Sequence, residues 1–242
     1  MRSFLCNIKY CFIGMLVFLL VVTDLYAQED QRSAQTLRVM TYNIFHGETM
    51  NRDFNIQLIA DVINAASPDI VALQEVDFKT GRVKGIDLVM ELGKLTGMVP
   101  LFGKAMPYDG GEYGEGILSK YSFIRTKVHP LPFSPGHEPR CALEVVIDLP
   151  SGVEISFIGT HLDHTRDETD RLAQAEKLNE LFSDYTTPAI LAGDLNALPE
   201  SAPMNILYKV WQDASVNFEQ PTIPSSDPQR RIDYVLFHPA ER

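Results

Sequence analysis

Six acid, amide and imidazole side chains lie at the ends of apolar segments, or within them. They are Asn43, Glu75, His161, Asp194, Asn196 and Asp233. A buried carboxylate costs free energy unless it is paired or holds a metal ion. Strands of one sandwich can bring several such ends to a common edge, and there these side chains would form a single site.

The residue types suit the hydrolysis of a phosphoester. An ion such as Mg²⁺, held by carboxylate oxygens and water, neutralises phosphate charge and polarises the phosphorus–oxygen bond. Glu75 and Asp233 offer hard oxygen ligands, whereas Asn43 and Asn196 can bind phosphate oxygens or ligand waters without adding negative charge. His161 can donate a hydrogen bond to the oxygen on which charge develops.

Each signal taken alone also has an ordinary structural explanation. Asp194 could orient or deprotonate an attacking water, but a Gly-Asp pair after a strand can be only a turn. His161 at a strand end can be only a hydrogen-bonded structural residue. Asp233 stands between Ile232 and Tyr234 in an apolar strand and needs a partner. It is the joint occurrence of these residues that favours a site.

Short apolar strands and amphipathic helices would position these side chains. The patterns predict strands at residues 37–42, 70–73, 117–119, 143–149, 153–159, 189–192 and 231–237. They predict helices at 55–66 and 168–184, the second with Asp167 as its N-cap. The Gly-rich residues 108–116 are typical of a loop, and Gln74-Glu75 is expected to close its strand. One α+β domain, with sheets packed between helices, follows.

The charge of the chain bears on its partners. Its 242 residues carry 32 Asp and Glu against 21 Lys and Arg, a net charge of −11. Proteins that bind nucleic acid need a basic face for the phosphates, so this balance disfavours, without excluding, a nucleic-acid partner. Clustered acids would suit cations instead.

The first residues have the pattern of a secretory signal peptide. Arg2 and Lys9 precede an apolar run at 11–22, and Ala27 offers a small-residue cleavage site. We expect a signal peptide at 1–27, a flexible segment at 28–36 and the catalytic domain at 37–242. The mature chain would have no membrane span and would be exported, either periplasmic or secreted. An uncleaved anchor is the alternative.

Six segments in order resemble the endonuclease/exonuclease/phosphatase superfamily, which includes DNase-I-like nucleases, inositol-polyphosphate phosphatases and neutral sphingomyelinases. The segments are 40–44 with 46–47, 72–76, 111–114 with 117–119, 160–163, 193–196, and 221–222 with 231–235. The resemblance implies a four-layer α/β sandwich of two packed, mostly antiparallel sheets flanked by helices. It also implies one or two divalent ions, usually Mg²⁺ or Mn²⁺.

The resemblance also assigns roles to individual residues. It places Asn43 and Glu75 at the metal and His161 at the scissile phosphate, while Asp194 and Asn196 handle the nucleophile and the phosphate. The candidate substrate-binding residues, which would shape the pocket, are Asn196, Tyr113 and Arg166. Arg140 could equally bind phosphate or pair with Glu138.

One feature of the family pattern is not found. The family has a late Ser-Asp-His motif on a further strand, and no such motif follows Asp233. Asp163-His164 belongs to the histidine motif instead, and His238 beside Pro239 fits a surface turn better than a replacement base. We therefore expect a C-terminally incomplete domain that lacks its last strand and leaves a sheet edge open.

These observations favour an exported, monomeric, divalent-metal-dependent hydrolase of phosphodiester or phosphomonoester bonds. A phosphorylated small molecule or a lipid headgroup is the expected substrate. Two alternatives stay open: a catalytically impaired relative that binds a phosphorylated ligand or partner, and a secreted nuclease. The ordered motifs disfavour an unrelated carbohydrate- or lipid-binding sandwich.

Overall fold

The structure is a computed structural model that describes residues 36–215 and 220–238. The predicted signal peptide at 1–27 lies outside the described residues, as does nearly all of the segment at 28–36. Within the described ranges, no helix is both long and apolar enough to cross a membrane.

The described residues form two sheets and four α-helices. The strands are β1 Val39–Asn43, β2 Ile70–Phe78, β3 Val99–Tyr108, β4 Gly111–Ser119, β5 Phe123–Pro130, β6 Cys141–Asp148, β7 Glu154–His161, β8 Ala189–Asp194, β9 Gln212–Asp213 and β10 Asp233–His238. The helices are α1 Ile56–Ala66, α2 Leu88–Thr96, α3 Thr169–Phe182 and α4 Ala202–Leu207. One sheet has the order β1-β2-β4-β3 and the other has the order β5-β6-β7-β8-β10-β9.

Three apolar cores stack these elements into four layers. The first core joins α1 and α2 to the outer face of the four-stranded sheet, with Ile63 and Leu92 against Leu73. The second joins α3 and α4 to the six-stranded sheet. The third lies between the sheets, where Ala72 and Phe157 are fully buried. The predicted α/β sandwich is confirmed.

Two parallel strand pairs determine where the polar strand ends meet. β1 and β2 are parallel and are joined by α1, and β7 and β8 are parallel and are joined by α3. Parallel strands need such crossover connections, which place both carboxyl ends at one edge. Asn43 is thus level with Gln74, and His161 is level with Asp194. All other strand pairs are antiparallel.

The Gly-rich segment is a hairpin rather than the loop that we predicted. β3 and β4 pair across a turn at Asp109 and Gly110, both with positive φ, the geometry of a two-residue hairpin turn. At Gly114 an added Cβ would lie 2.0 Å from the Gly103 carbonyl oxygen. Glycine is needed there for close approach of the chain, so its presence did not indicate a loop.

Helix α3 begins later than predicted. Its N-cap is Glu168, and Asp167, one residue before that cap, accepts hydrogen bonds from the backbone N–H and the hydroxyl of Thr169. The sequence patterns also missed α2, whose apolar periodicity is broken by Gly93. They missed β5 as well, an edge strand with mostly exposed side chains. Neither has the sustained periodicity that marks the other elements.

The ends of both sheets bear on two further predictions. His238 is the last residue of β10 and its ring lies 6.0 Å from that of Trp211, so it is not a turn residue. β1 is an edge strand of the four-stranded sheet. The absence of a further strand stays a prediction. Cys141 is a buried free thiol.

Candidate active site

The predicted site residues converge on one cavity of about 1020 Å³ at the edge where β1, β2, β7 and β8 end. Its lining includes Asn43, Glu75, Tyr113, His161, Asp194, Asn196 and Asp233. Arg166 is exposed and does not line this cavity, so the structure does not bring it together with the others. His164, two residues earlier, lines the cavity instead.

A β-bulge aims Glu75 into the cavity. The pairing of β2 with β4 shifts register between Leu73 and Val76, and Glu75 has a φ of +57°. A bulge of this kind re-aims a side chain and often lies beside a functional site. The strand continues to Phe78, so the prediction that Gln74-Glu75 closes it was wrong. The extra residue in the bulge lets the strand resume its ladder.

Asn43 connects the two sheets at this edge. Its Nδ2 donates to Glu75 Oε1 at 2.9 Å and to Asp194 Oδ2 at 3.3 Å. Glu75 belongs to the four-stranded sheet and Asp194 to the six-stranded sheet. One amide therefore holds a carboxylate of each sheet at the same point.

Glu75 remains ionised at neutral pH. Burial alone would raise its pKa, but the His46 ring and the Asn43 amide hold the pKa at about 2. His46 Nδ1 lies 3.8 Å from Glu75 Oε2. Glu75 is therefore a permanent negative charge at the base of the cavity.

Asp194 and Asp233 form a pair of like charges. They lie opposite one another in the antiparallel pairing of β8 and β10. Burial, and then the charge of Asp233, raises the pKa of Asp194 to about 7. Burial also raises the pKa of Asp233, against a hydrogen bond from Thr222. Across the described residues, none of these carboxylates forms an ion pair with lysine or arginine.

This arrangement fits a divalent cation. Three carboxylates approach one another without an arginine or lysine ion pair among the described residues, and a cation would offset their mutual repulsion. Carboxylate and amide oxygens are also the donors that Mg²⁺ and Mn²⁺ prefer. Glu75 and the side-chain oxygen of Asn43 are the residues predicted to hold the ion.

His161 and Asn196 line the same cavity beside Asp194. Asn196 Nδ2 is 3.0 Å from His161 Nε2 and donates to the Leu162 carbonyl at 3.0 Å. Asn196 has a φ of +47°, and its backbone N–H donates to Asp194 Oδ1 at 3.0 Å. His161 is almost fully buried and lies 3.7 Å from Asp194 Oδ2. The two side chains can therefore act on the same group.

Several lining residues were not predicted as members of the site. They are Phe45, His46, Arg82, Tyr108, Glu138, His164 and Thr222. Arg140, whose role the sequence left open, is almost fully buried and donates to His161 Nδ1 at 3.1 Å. The available signal was its place directly before the buried strand β6. Tyr113 packs beside it, and burial and the charge of Glu75 raise the pKa of the phenol.

A second cluster with acidic residues lies outside the cavity lining and stabilises the fold. Atoms of His137, Asp163 and Asp170 lie within 4.8 Å of one another. Asp170 accepts from Ser134 and His137, and Asp163 accepts from Thr165. These bonds fasten the start of α3 to the loop before β6, which explains the cluster without an ion.

Comparison with solved structures supports the same fold. An endonuclease/exonuclease/phosphatase from Beutenbergia cavernae DSM 12333 is 27% identical with a TM-score of 0.71, covering 84% of this chain. This chain spans 64% of the length of that protein. A Bacteroides thetaiotaomicron mannosyl-6-phosphatase is 20% identical, with a TM-score of 0.66 and coverage of 85% and 86% of the two chains.

A sphingomyelinase C from Streptomyces griseocarneus is also similar, at 20% identity and a TM-score of 0.65, covering 86% of each chain. Because the phosphatase and the sphingomyelinase are each only 20% identical, these two comparisons show similarity of fold alone. Residues 40–242 match the model of the endonuclease/exonuclease/phosphatase family. With the sequence motifs, the four-layer sandwich and this match in agreement, the chain belongs to the endonuclease/exonuclease/phosphatase family.

Proposed function

We propose that this protein hydrolyses phosphoester bonds with the help of one or two divalent ions, Mg²⁺ or Mn²⁺. The observation that carries the proposal is the meeting of Glu75, Asp194 and Asp233 in one cavity, without an arginine or lysine ion pair among the described residues. Buried acids of this kind are otherwise costly. Family membership supports the same reaction class.

Each wall of the cavity has its own task in this proposal. Glu75 and Asn43 hold the ion, which, when bound, neutralises phosphate charge and polarises the phosphorus–oxygen bond. Asp194 accepts a proton from the attacking water, since a pKa near 7 suits a general base at neutral pH. Asp233 maintains that pKa by its charge. His161 and Asn196 donate hydrogen bonds to a phosphate oxygen.

For the substrate, we propose a phosphorylated small molecule or a lipid headgroup, as a monoester or a diester. The net charge of −11 disfavours a long polyanion such as DNA. Phe45, Tyr108 and Tyr113 line the cavity and offer apolar faces to an organic group. The names of two similar proteins, a mannosyl-6-phosphatase and a sphingomyelinase, agree with this substrate range. Arg166 is not part of the proposed binding site.

We also propose that the protein is exported, to the periplasm or the medium, and acts as a monomer. The basic start, apolar run and small residue at 27 support export. Sequencing the N-terminus of the protein recovered from its native host tests this, because cleavage after Ala27 is expected. A mature protein that still carries residues 1–27 would contradict it.

The function is tested by assaying the metal-free protein with added Mg²⁺ or Mn²⁺. The substrates are a phosphomonoester, a phosphodiester, sphingomyelin and DNA. We expect metal-dependent turnover of at least one of the first three, and weaker turnover of DNA. Fastest turnover of DNA would favour the secreted nuclease. Saturable binding of phosphate without turnover of any substrate would favour the catalytically impaired binder.

A further inference from the structure

Arg140 is enclosed by groups of the protein itself. Its Nη1 lies 3.1 Å from His161 Nδ1 and 3.5 Å from the Tyr113 hydroxyl, and its Nη2 lies 3.3 Å from His164 Nδ1. Glu138 Oε1 is 2.9 Å from Nη1. Only 2% of the side chain is exposed, and its Nε is buried without a partner. Little of this guanidinium is left to bind a ligand.

The contact between Arg140 and His161 indicates where the imidazole carries its proton. A guanidinium is always protonated and can only donate, so His161 Nδ1 must accept. An accepting Nδ1 is unprotonated, which excludes both the Nδ1–H tautomer and the imidazolium. The remaining form is the neutral ring with its proton on Nε2. Burial, and then the charge of Arg140, lowers the pKa of His161, in agreement with a neutral ring.

The Nε2–H then faces a second donor. Asn196 Nδ2 lies 3.0 Å from His161 Nε2, and its donation to the Leu162 carbonyl fixes the orientation of the amide. Asn196 Nδ2 has a second hydrogen, so two N–H groups converge at the cavity wall, and Asp194 Oδ2, at 3.7 Å from His161 Nε2, lies beyond hydrogen-bond distance. A phosphate oxygen is the acceptor that this pair fits.

We propose that Arg140 is a positioning residue: it holds His161 in the Nε2–H tautomer, so that His161 and Asn196 donate together to one phosphate oxygen. The proposal rests on the proposed function for the identity of that ligand. Of the two roles left open by the sequence, the pair with Glu138 is present in the structure, and the proposal adds a role through His161.

The tautomer can be measured without any activity. A long-range ¹H–¹⁵N spectrum of the metal-free protein at pH 7.5 separates protonated from unprotonated ring nitrogens, and the His161→Gln variant identifies the signals. We expect an unprotonated Nδ1 and a protonated Nε2 at His161. A protonated Nδ1 in the wild-type protein would overturn the proposal. An inactive protein with the expected tautomer would count only against the proposed function.

Two variants test the role of Arg140. Arg140→Met should give a mixture of His161 tautomers and lower kcat about 10²-fold, the typical cost of losing an oxyanion donor, with a smaller change in KM. Arg140→Lys keeps one charged donor and should restore the Nε2–H tautomer and part of kcat. Arg125→Met removes the same charge from an exposed pair with Glu154, outside the cavity, and serves as the matched control.

The outcomes separate positioning from direct phosphate binding. If Arg140→Met raises KM, leaves kcat unchanged and leaves the tautomer unchanged, Arg140 binds the substrate itself and the proposal is wrong. If Arg140→Met does not fold, the tautomers of the wild-type protein and of Arg140→Lys still decide. Loss of the Nε2–H form in Arg140→Lys, with its fold intact, would count against the proposal.

Discussion

Two carboxylates two residues apart in β2 have opposite surroundings. Asp77 is fully buried and receives two hydrogen bonds from Arg82, at 2.6 and 2.7 Å. Glu75 keeps 20% of its side chain exposed, faces the cavity, accepts a hydrogen bond from the Asn43 amide and lies beside the His46 ring. The bulge between Leu73 and Val76 separates the two environments.

The same contrast holds across the molecule. Asp213, near the far end of the six-stranded sheet, receives two hydrogen bonds from Arg231, at 2.7 and 2.9 Å. Asp194 and Asp233, at the cavity, face each other instead. Asp77 and Asp213 are neutralised by arginine, whereas the described acids at the cavity have no arginine or lysine ion pair. The difference separates a structural acid from a functional one.

The largest expected effect is that of Glu75→Gln. Removing the charge while keeping the shape should lower metal-dependent turnover by about 10³-fold, because the ion loses its anionic ligand. The fold should persist, since Glu75 pairs with no arginine or lysine among the described residues. Steady-state kinetics and circular dichroism measure the two properties.

A matched control is Glu112→Gln, a half-buried glutamate outside the cavity that pairs with Lys104. Its turnover should stay within about twofold of wild type, as for most surface substitutions. Equal losses in both variants would remove Glu75 from the site.

Asp77→Ala should affect stability instead of metal binding. It leaves the Arg82 guanidinium, whose side chain is 30% exposed, without its bidentate partner, so the loss should fall below about 3–5 kcal/mol, the cost that is typical of a fully buried pair. Urea denaturation should show this loss, while the folded variant binds Mn²⁺ as wild type does. A variant that keeps its stability but loses Mn²⁺ would reverse our assignment of the two β2 acids.

Asp194→Asn should remove a pH dependence of stability. The pKa of Asp194 rises from 3.8 to about 7 on folding, so folding favours the protonated form. The resulting stabilisation is complete below about pH 4 and is lost as pH rises through 7. At pH 8 the metal-free Asn variant should therefore be more stable than wild type, by about 2–3 kcal/mol. Glu75 gives the opposite trend, because its lowered pKa stabilises the fold above about pH 4.5 and that contribution is lost towards pH 2.

Urea denaturation of both proteins at pH 4 and pH 8 tests this, in buffer with a chelator. Parallel pH profiles for wild type and Asp194→Asn would show that Asp194 is not held at a raised pKa.

The smallest effect is expected at an exposed pair. Lys104 Nζ lies 2.6 Å from Glu112 Oε1, and the two side chains are 46% and 33% exposed. Lys104→Met should change the free energy of unfolding by less than about 1 kcal/mol, the usual worth of a surface salt bridge. A loss of unfolding free energy as large as that of Asp77→Ala would contradict the distinction between buried and exposed pairs.

The sequence predicted the meeting of the strand ends because two β-helix-β units each bring two carboxyl ends to one edge. Asn43, His161 and Asp194 are placed by this rule, whereas Glu75 lies within β2 and is aimed into the cavity by the bulge. The rule gives no information on the bulge at Glu75, which depends on pairing with β4, nor on the hairpin at Asp109-Gly110, where glycine serves close packing.

The sequence also did not predict where side chains on loops lie in the folded protein. Arg166 was chosen because it follows the histidine motif, but the loop after β7 turns His164 towards the cavity and leaves Arg166 exposed. Arg140 was recognised only as an ambiguous cation. Its partners His161, His164 and Tyr113 come from two other segments of the chain and meet it only in the folded protein.

The central claim is that Glu75 and the side chains around it hold a divalent cation. Calorimetric titration of Mn²⁺ into the metal-free protein tests it directly. We predict saturable binding by wild type and by Glu112→Gln, weakened at least about tenfold in Glu75→Gln. No binding, or binding that survives Glu75→Gln and disappears in Asp170→Asn, would contradict the claim, and the second result would place the ion at His137, Asp163 and Asp170 instead.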